Sequence, residues 1–324
     1  MIVLLGASGY VGRAFQRLLQ QSGEDYVSLS REQVDYTQYR DLVDFLRSLR
    51  PQFLINAAGY TGKPNVDACE IAKADALRGN AMFPLVVSHA CQSVGIAWGH
   101  VSSGCIFSGG IVDCDGRRQI EPDLTTPAMK YLLATNPKAV HGFRETDEPN
   151  FSFRRPPCSF YSGSKALGEE SLADDPFAYL WRLRIPFNQQ DCPRNYLSKL
   201  QRYGKVYDNV NSVSHLDDYC RACLDLWKLG APFGIYNVTN PGYVTTRQVV
   251  EMIGRVLLPA RSFDYWENDD EFYRVAAKTP RSNCVLDTSK LIASGVKIRG
   301  VEEAIMDSLE SWQAEPDRVS VHLT

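Results

Sequence analysis

Four apolar residues, Ile2-Val3-Leu4-Leu5, run directly into Gly6-Ala7-Ser8-Gly9-Tyr10-Val11-Gly12, and behind them Val11, Phe15, Leu18 and Leu19 fall at helical spacing. No other stretch constrains the fold as strongly. The apolar run is too short for a helix and ends at glycine, so it has the length and flanks of a strand buried on both faces. Strand, glycine turn and helix in succession form the context in which such a turn binds a dinucleotide. The glycines let the backbone approach a pyrophosphate, whose charge then sits at the helix N-terminus. The spacing here is Gly-x-x-Gly-x-x-Gly, not Gly-x-Gly-x-x-Gly. Gly6, Ser8, Gly9, Tyr10, Val11 and Gly12 are the expected contacts.

The alternation continues. Tyr26-Val27-Ser28-Leu29 reads as a strand, and Arg40 to Arg50 as a helix with Leu42, Val43, Phe45, Leu46 and Leu49 apolar. Pro51 to Gly59 is a strand with a small-residue exit, Asp67 to Cys91 is largely helical, and Trp98 to Ser103 is another strand. This order predicts an α/β fold, a doubly wound parallel sheet of the Rossmann kind, with ligands beyond the carboxyl ends of the strands. Gly6, Ala58 and Ser103 all fall at those ends. Ala57, Ala58 and Gly59 therefore join the expected cofactor contacts, since small residues allow close approach, and Asn56 and Asn80 are counted with them. An NAD site usually places an acidic residue after the second strand; this chain has Ser30 and Arg31, and an arginine fork suits a 2′-phosphate. The expected cofactor is NADP, with NAD as the alternative.

Gly109 to Thr146 breaks the pattern and reads as a polar insertion or lid, and Pro149 to Pro157 as extended. Phe177 to Pro186 returns as a strand, Asp191 to Val210 leaves the sheet as pocket wall, His215 to Leu229 is a helix and Gly234 to Val238 a strand. Helices are expected at Thr246–Leu257 and Val301–Trp312. The division is discontinuous: 1–187 plus 212–240 form the dinucleotide-binding domain, and 188–211 plus 241–324 a smaller α/β substrate domain. With 324 residues, 44% hydrophobic and 23% charged, and a net charge of −3, the chain reads as soluble and globular and offers no bulk charge for a nucleic acid or membrane partner. No positive leader precedes the first strand, and no apolar run approaches the roughly 18 residues of a membrane span. The nine scattered cysteines read as reduced thiols, which places the protein in the cytoplasm. Cys220-x-x-Cys223 lies in an amphipathic helix pattern with no second ligand pair, so core packing is expected there and no metal site.

Tyr161 and Lys165 stand four apart in Phe160-Tyr161-Ser162-Gly163-Ser164-Lys165. On a helix both side chains leave one face. An ammonium beside the phenol lowers a tyrosine's pKa, which would let Tyr161 exchange a proton near neutral pH. Such a pair recurs by chance and gains weight only from its context.

In that context the chain resembles the extended short-chain dehydrogenase/reductases, through Gly6-x-x-Gly9-x-x-Gly12, Asn56-Ala57-Ala58-Gly59, Ser103 and Tyr161-x-x-x-Lys165. Further segments are similar to the nucleotide-rhamnose synthase/epimerase-reductase group: the run from Asn56 through Lys63-Pro64 to Asp67, then Ser103-Gly104-Cys105-Ile106-Phe107, Pro193-Arg194-Asn195, Tyr236 to Gly242 and Pro280-Arg281-Ser282-Asn283. The dTDP-4-dehydrorhamnose reductases share this branch but place Asp where this chain has Gly104. The resemblance implies NADPH-dependent reduction of a nucleotide-linked 4-keto-6-deoxyhexose at C4, with C3/C5 epimerisation in the same site. It implies Ser103, Tyr161 and Lys165 as the reductase triad and Cys105 and Lys199 as the epimerisation pair. Tyr161, Lys165 and Pro186 are added to the cofactor set, and Lys63, Pro64, Ser103, Cys105, Arg194, Asn195 and Arg281 would meet the substrate. The expected partner is a nucleotide-sugar, and a homodimer is compatible with the family.

The chemistry is consistent with those residues. A C4 ketone acidifies the C3 and C5 protons, and the enolate charge sits on O4, where Tyr161 and Ser103 can donate hydrogen bonds. A base on one ring face and an acid on the other then invert the carbon, and cysteine and lysine can both be tuned for this by burial and neighbours. Arg194, Arg281 and Lys278 are cations suited to a diphosphate. Two other readings compete. A nucleotide-sugar 4-epimerase or dehydratase with tightly held NAD is opposed by Ser30-Arg31 and by Gly104-Cys105 after the serine. A non-catalytic NADP-binding subunit is opposed by the intact triad.

Overall fold

The computed structural model describes residues 1–114 and 117–314. Residues 115–116 of the expected insertion and 315–324 of the expected second domain lie outside it. Six parallel strands make one sheet: β1 (Ile2–Leu5), β2 (Tyr26–Leu29), β3 (Phe53–Asn56), β4 (Ala97–Ser103), β5 (Ala178–Leu183) and β6 (Gly234–Asn237). Their spatial order is β6-β5-β4-β3-β1-β2. In register, Ile2 lies beside Tyr26 on one side and Phe53 on the other.

Side chains alternate between the two faces of a strand. Ile2 and Leu4 therefore join Phe53, Ile55, Tyr179 and Trp181 on one face, under α1 (Tyr10–Gln21) and α5 (Leu216–Lys228). Val3 and Leu5 join Leu54 and Leu180 on the other, under α2 (Tyr39–Leu49) and α3 (Phe83–Val94). Both faces are covered, so four-residue strands can be apolar throughout. Cys220 and Cys223 are buried in the first core, as the packing reading expected, and the eight cysteines whose side chains are described are free thiols. Among the described residues no cluster of side chains could hold a metal ion, and no helix is long and apolar enough to cross a membrane.

From β1 the chain steps outward to β2 and then crosses back to β3. The β1/β3 junction is thus the topological switch point, and a crevice opens beyond its carboxyl ends. α4 (Phe160–Ser171) runs beside that edge, and Ser159 caps it by accepting from Ser162 N at 3.1 Å.

A separate core lies beyond the sheet. Phe187, Leu197, Leu200, Val206, Val213 and Val244 pack there with α6 (Thr246–Val256) and α7 (Val301–Glu310). Leu291 and Val296 instead belong to the parallel-sheet core, so the last hundred residues contribute to both.

The segment 109–146, expected as a polar insertion or lid with few periodic apolar runs, has regular structure of its own. Gly110–Cys114 pairs antiparallel with Arg117–Glu121 and with Val140–His141, and a helix covers Pro127–Thr135. Val112, Leu124 and Val140 pack against Val210 and Val285. The insertion has its own small sheet because its few apolar residues, far apart in sequence, find partners in the C-terminal half.

Candidate active site

The glycine turn is shaped by contacts only glycine allows. Gly6 has φ +75°, and a Cβ there would lie 2.5 Å from Ala58 N; a Cβ on Gly12 would lie 2.0 Å from Gly6 O. α1 starts at Gly9 with no side-chain cap and no acidic residue in its first turn. Its first N–H groups and positive dipole end are thus left for an anion. Ser8 and Gly9 are exposed there, Tyr10 and Val11 are half-buried, and Ser30 and Arg31 are exposed past the end of β2. These residues fit a dinucleotide phosphate.

At the end of β4, Ser103 and Tyr161 are both buried, and the Ser103 hydroxyl is within hydrogen-bonding reach of the Tyr161 phenol. Ser103 Oγ also accepts from Cys105 N at 3.2 Å, capping the short turn Gly104–Ile106. Lys165 follows Tyr161 by one helical turn and is 5% exposed, and its Nζ donates to Val101 O at 3.1 Å. The structure corrects the expected direction of the Tyr161 shift. Burial, and then the neighbouring Cys105 sulfur, push the phenol above its ordinary value, while Ser103 and Arg184 pull the other way. Lys165 is itself lowered to about 8 by burial, against Glu169 and Cys105. Desolvation outweighs the cation because Lys165 points its ammonium at the backbone of β4. Tyr161 therefore keeps its proton at neutral pH.

Two of the expected cofactor contacts, Asn80 and Asn56, spend their side-chain amides on the protein. Asn80 is fully buried in a stretch of π-helix, Arg78–Met82, the kind of irregularity that marks functional sites. Its amide donates to Tyr60 O (2.8 Å) and Ser164 Oγ (3.0 Å) and accepts from Tyr60 N (2.9 Å). It ties the β3 exit to α4 and leaves Gly59 exposed between them. Asn56 is likewise buried, accepting from Ala58 N at 3.0 Å and lying 3.2 Å from His100 Nδ1. Burial and then Lys165 hold His100 well below its ordinary pKa, hence neutral. Ala57 and Ala58 are half-buried at the crevice, and Pro186 is half-buried after Ile185, whose φ is +37°.

The residues expected to meet the substrate include several cations in different surroundings. Lys199 is lowered by burial first and then by Arg194 and Arg281, against Cys192. Asn195 is fully buried and turned inward: it accepts from Leu197 N at 3.0 Å and donates to Asn188 O and Gln190 O, both at 2.7 Å. It caps the helix Tyr196–Arg202 that carries Lys199. Arg281, expected to meet a diphosphate, is held by Asp67 through two contacts of 2.8 Å, which clasp the C-terminal half to the segment after β3. Arg194 donates to neutral acceptors, Thr61 Oγ1 (2.9 Å) and Gly62 O (3.2 Å), and keeps its charge for a ligand. Lys63, Pro64 and Lys278 are exposed.

Sequence reasoning missed Arg184. It is 2% exposed and donates to Cys105 Sγ at 3.0 Å. A second arginine in an otherwise apolar strand, Trp181-Arg182-Leu183-Arg184, was the signal available.

The chain is similar to known proteins over most of its length. A bifunctional dTDP-4-dehydrorhamnose 3,5-epimerase/dTDP-4-dehydrorhamnose reductase of Arabidopsis thaliana is 30% identical over 94% of this chain and 90% of its own length. A trifunctional UDP-glucose 4,6-dehydratase/UDP-4-keto-6-deoxy-D-glucose 3,5-epimerase/UDP-4-keto-L-rhamnose-reductase of the same plant is also 30% identical over 94% of this chain, which spans 41% of that relative. The crystal structure of a UDP-rhamnose synthase from Acanthamoeba polyphaga mimivirus superposes with a TM-score of 0.79 at 22% identity, covering 96% of this chain and 98% of that one. Residues 1–314 match the family described as RmlD substrate binding domain, and the chain belongs to that family.

Proposed function

We propose that this protein uses NADPH to reduce the C4 ketone of a nucleotide-linked 4-keto-6-deoxyhexose, and that it inverts C3 and C5 in the same site. The observation that carries the reading is the buried Ser103–Tyr161–Lys165 group at the end of β4 with Cys105 two residues past the serine. The names of the plant and viral relatives point the same way. The cofactor occupies the glycine turn and Arg31, in the part of the chain built by 1–187 and 212–240. Residues 188–211 and 241 onward receive the sugar nucleotide, with Arg194 and Lys199 near its diphosphate and ring.

Bound NADPH supplies the hydride to C4. Tyr161 hydrogen-bonds O4 and, being protonated, gives that oxygen its proton, while Ser103 donates a second hydrogen bond. Lys165 holds positive charge behind the phenol as its proton leaves. Before reduction, one of Cys105 and Lys199 takes the proton from C3 or C5. The C–H electron pair moves into the ring C–C bond and the charge onto O4, where Tyr161 and Ser103 hold it. The other residue returns a proton from the opposite face.

The test gives purified protein NADPH and a nucleotide-4-keto-6-deoxyglucose and identifies the product sugar by NMR. A C3/C5-inverted 6-deoxysugar is expected, with Tyr161→Phe abolishing NADPH consumption and Cys105→Ser or Lys199→Met abolishing inversion. Protein that binds NADPH but never oxidises it with such a ketone would overturn the reading.

A further inference from the structure

Arg184 carries a charge that the interior does not balance with a carboxylate. Its Nη1 donates to Cys105 Sγ at 3.0 Å, its Nη2 donates to the neutral oxygens Asn211 Oδ1 and Ser282 O at 2.5 Å, and its Nε has no partner among the described residues. The ionisable groups that face it are Cys105, Cys284, Tyr196 and Tyr161, none of them a carboxylate. Those facing Cys105 are Arg184, Tyr161, Lys165 and Cys284. Cys284 is fully buried and turns its thiol to Gly104 O, and Arg182 also lies near it. Tyr196 points to Thr246. A buried guanidinium without an anion is costly, and Cys105 is the half-exposed group that can supply one.

The backbone holds the arginine in place. Arg184 N donates to Ser214 Oγ at 3.1 Å, and its carbonyl accepts from Ser214 N at 2.7 Å. The next residue, Ile185, is a β-branched residue at φ +37°, a strained conformation that clusters at functional sites. β5 ends at Leu183, and after this turn the chain pairs again, Pro186–Phe187 lying parallel to Ser214–His215.

We propose that Arg184 is the fixed counter-cation of Cys105, pinning the sulfur and stabilising the thiolate through which Cys105 exchanges a proton with the sugar ring. This rests on the epimerase reading above. In the donating direction the S–H bond breaks, its electron pair stays on sulfur, and a ring C–H bond forms as the enolate charge is discharged. Arg184 then faces the new negative charge at hydrogen-bond distance, with no movement needed. In the accepting direction the steps reverse.

The test is site-resolved iodoacetamide labelling of the full chain across a pH series, because the thiolate is the form alkylated. Cys158 is the internal control: it is also half-exposed, and it has Glu70 nearby rather than a cation. Cys105 is expected to label faster than Cys158 at neutral pH. Arg184→Met slows Cys105 labelling by about tenfold and moves its pH midpoint upward, and Arg184→Lys restores most of the rate. Solvent deuterium entry at C3 and C5 falls with the labelling rate, and NADPH affinity does not. Cys105 labelling in Arg184→Met with the wild-type rate and midpoint would overturn the proposal. So would wild-type Cys105 labelling no faster than Cys158, a comparison that needs no variant to fold. If labelling responds as expected while the wild-type protein exchanges no ring deuterium, the Arg184–Cys105 pair stands and the epimerase reading fails.

Discussion

Replacing Glu169 by glutamine removes one charge from beneath the helix face that carries Tyr161 and Lys165. Glu169 stands one turn beyond Lys165 and two beyond Tyr161, and is 5% exposed. It accepts from Arg182 Nε at 3.0 and 3.1 Å, from Arg182 Nη2 at 2.8 Å, and from the Ser102 hydroxyl at 2.5 Å. Arg182 is 1% exposed, and its remaining polar partner is the neutral Asn237 Oδ1. The glutamine keeps the shape but turns an NH2 toward a guanidinium and leaves that buried cation without its hydrogen-bonded carboxylate, with Glu145 the remaining acidic group near it. Breaking one side of a buried pair costs about 3–5 kcal/mol. For a chain of this size that corresponds to a fall in melting temperature of roughly 5–10 °C. A second effect separates chemistry from stability. Burial lowers Lys165 to about 8, and Glu169 is the main group opposing that. Without the carboxylate, Lys165 falls further. A lysine is charged below its pKa, so the alkaline loss of its charge moves to lower pH, and the alkaline limb of kcat moves with it. Thermal melting followed by circular dichroism and a pH profile of NADPH oxidation measure the two effects. A variant that melts with the wild type and keeps its alkaline limb would refute the charge argument.

Three further substitutions test other parts of the site. Gly12→Ala puts a methyl group 2.0 Å from Gly6 O, so the turn must open and NADPH affinity, read by fluorescence titration, drops by about tenfold or more. Asn80→Ala strips three hydrogen bonds from the joint between Tyr60 and Ser164; the expected loss is about 1–3 kcal/mol in denaturant unfolding, with kcat falling as Lys165 loses its frame. Arg31→Ala removes the cation offered to a 2′-phosphate, and the ratio of kcat/KM for NADPH over NADH is expected to fall by about tenfold or more, with NADH turnover little changed.

What the sequence revealed and what it hid divide along the range of the interactions. β1, the glycine turn and α1 were legible because strand, turn and helix are consecutive and each declares itself within a few residues. The helix carrying Tyr161 and Lys165 was legible for the same reason. The strands of 109–146 were not legible because Ile111 and Val112 pair with an exposed strand, Arg117–Glu121, and the core partners of Val112, Val210 and Val285, lie 98 and 173 residues on. Arg184 was missed because its meaning depends on Asn211 and Ser282, 27 and 98 residues on. The sign of the Tyr161 shift was misjudged because burial cannot be read from a four-residue spacing. Asn80, Asn56 and Asn195 are buried, and their amides are spent on the protein itself, which no sequence motif declares.

The segment from Ser282 to Asp287 has a consequence for how the molecule is made. Ser282 Oγ donates to Phe107 O, Gly109 N donates to Asn283 O at 2.6 Å, Cys284 Sγ reaches Gly104 O, and Phe143 exchanges backbone bonds with Val285 and Asp287. Those partners lie some 140 to 180 residues earlier. A ribosome delivers the chain from its N-terminus, and domains fold as they emerge. The parallel sheet has all its strands once β6 is out, but the turn that carries Cys105, the base of the insertion and the Arg184 anchor all wait for this late segment. Until it arrives, Gly109 and Phe143 present unpaired backbone groups, and Arg184 lacks one of its acceptors. The nascent protein therefore passes through a stage with all six parallel strands present and the Cys105 turn unfinished, and those open edges are where a chaperone, or a wrong strand, would find it.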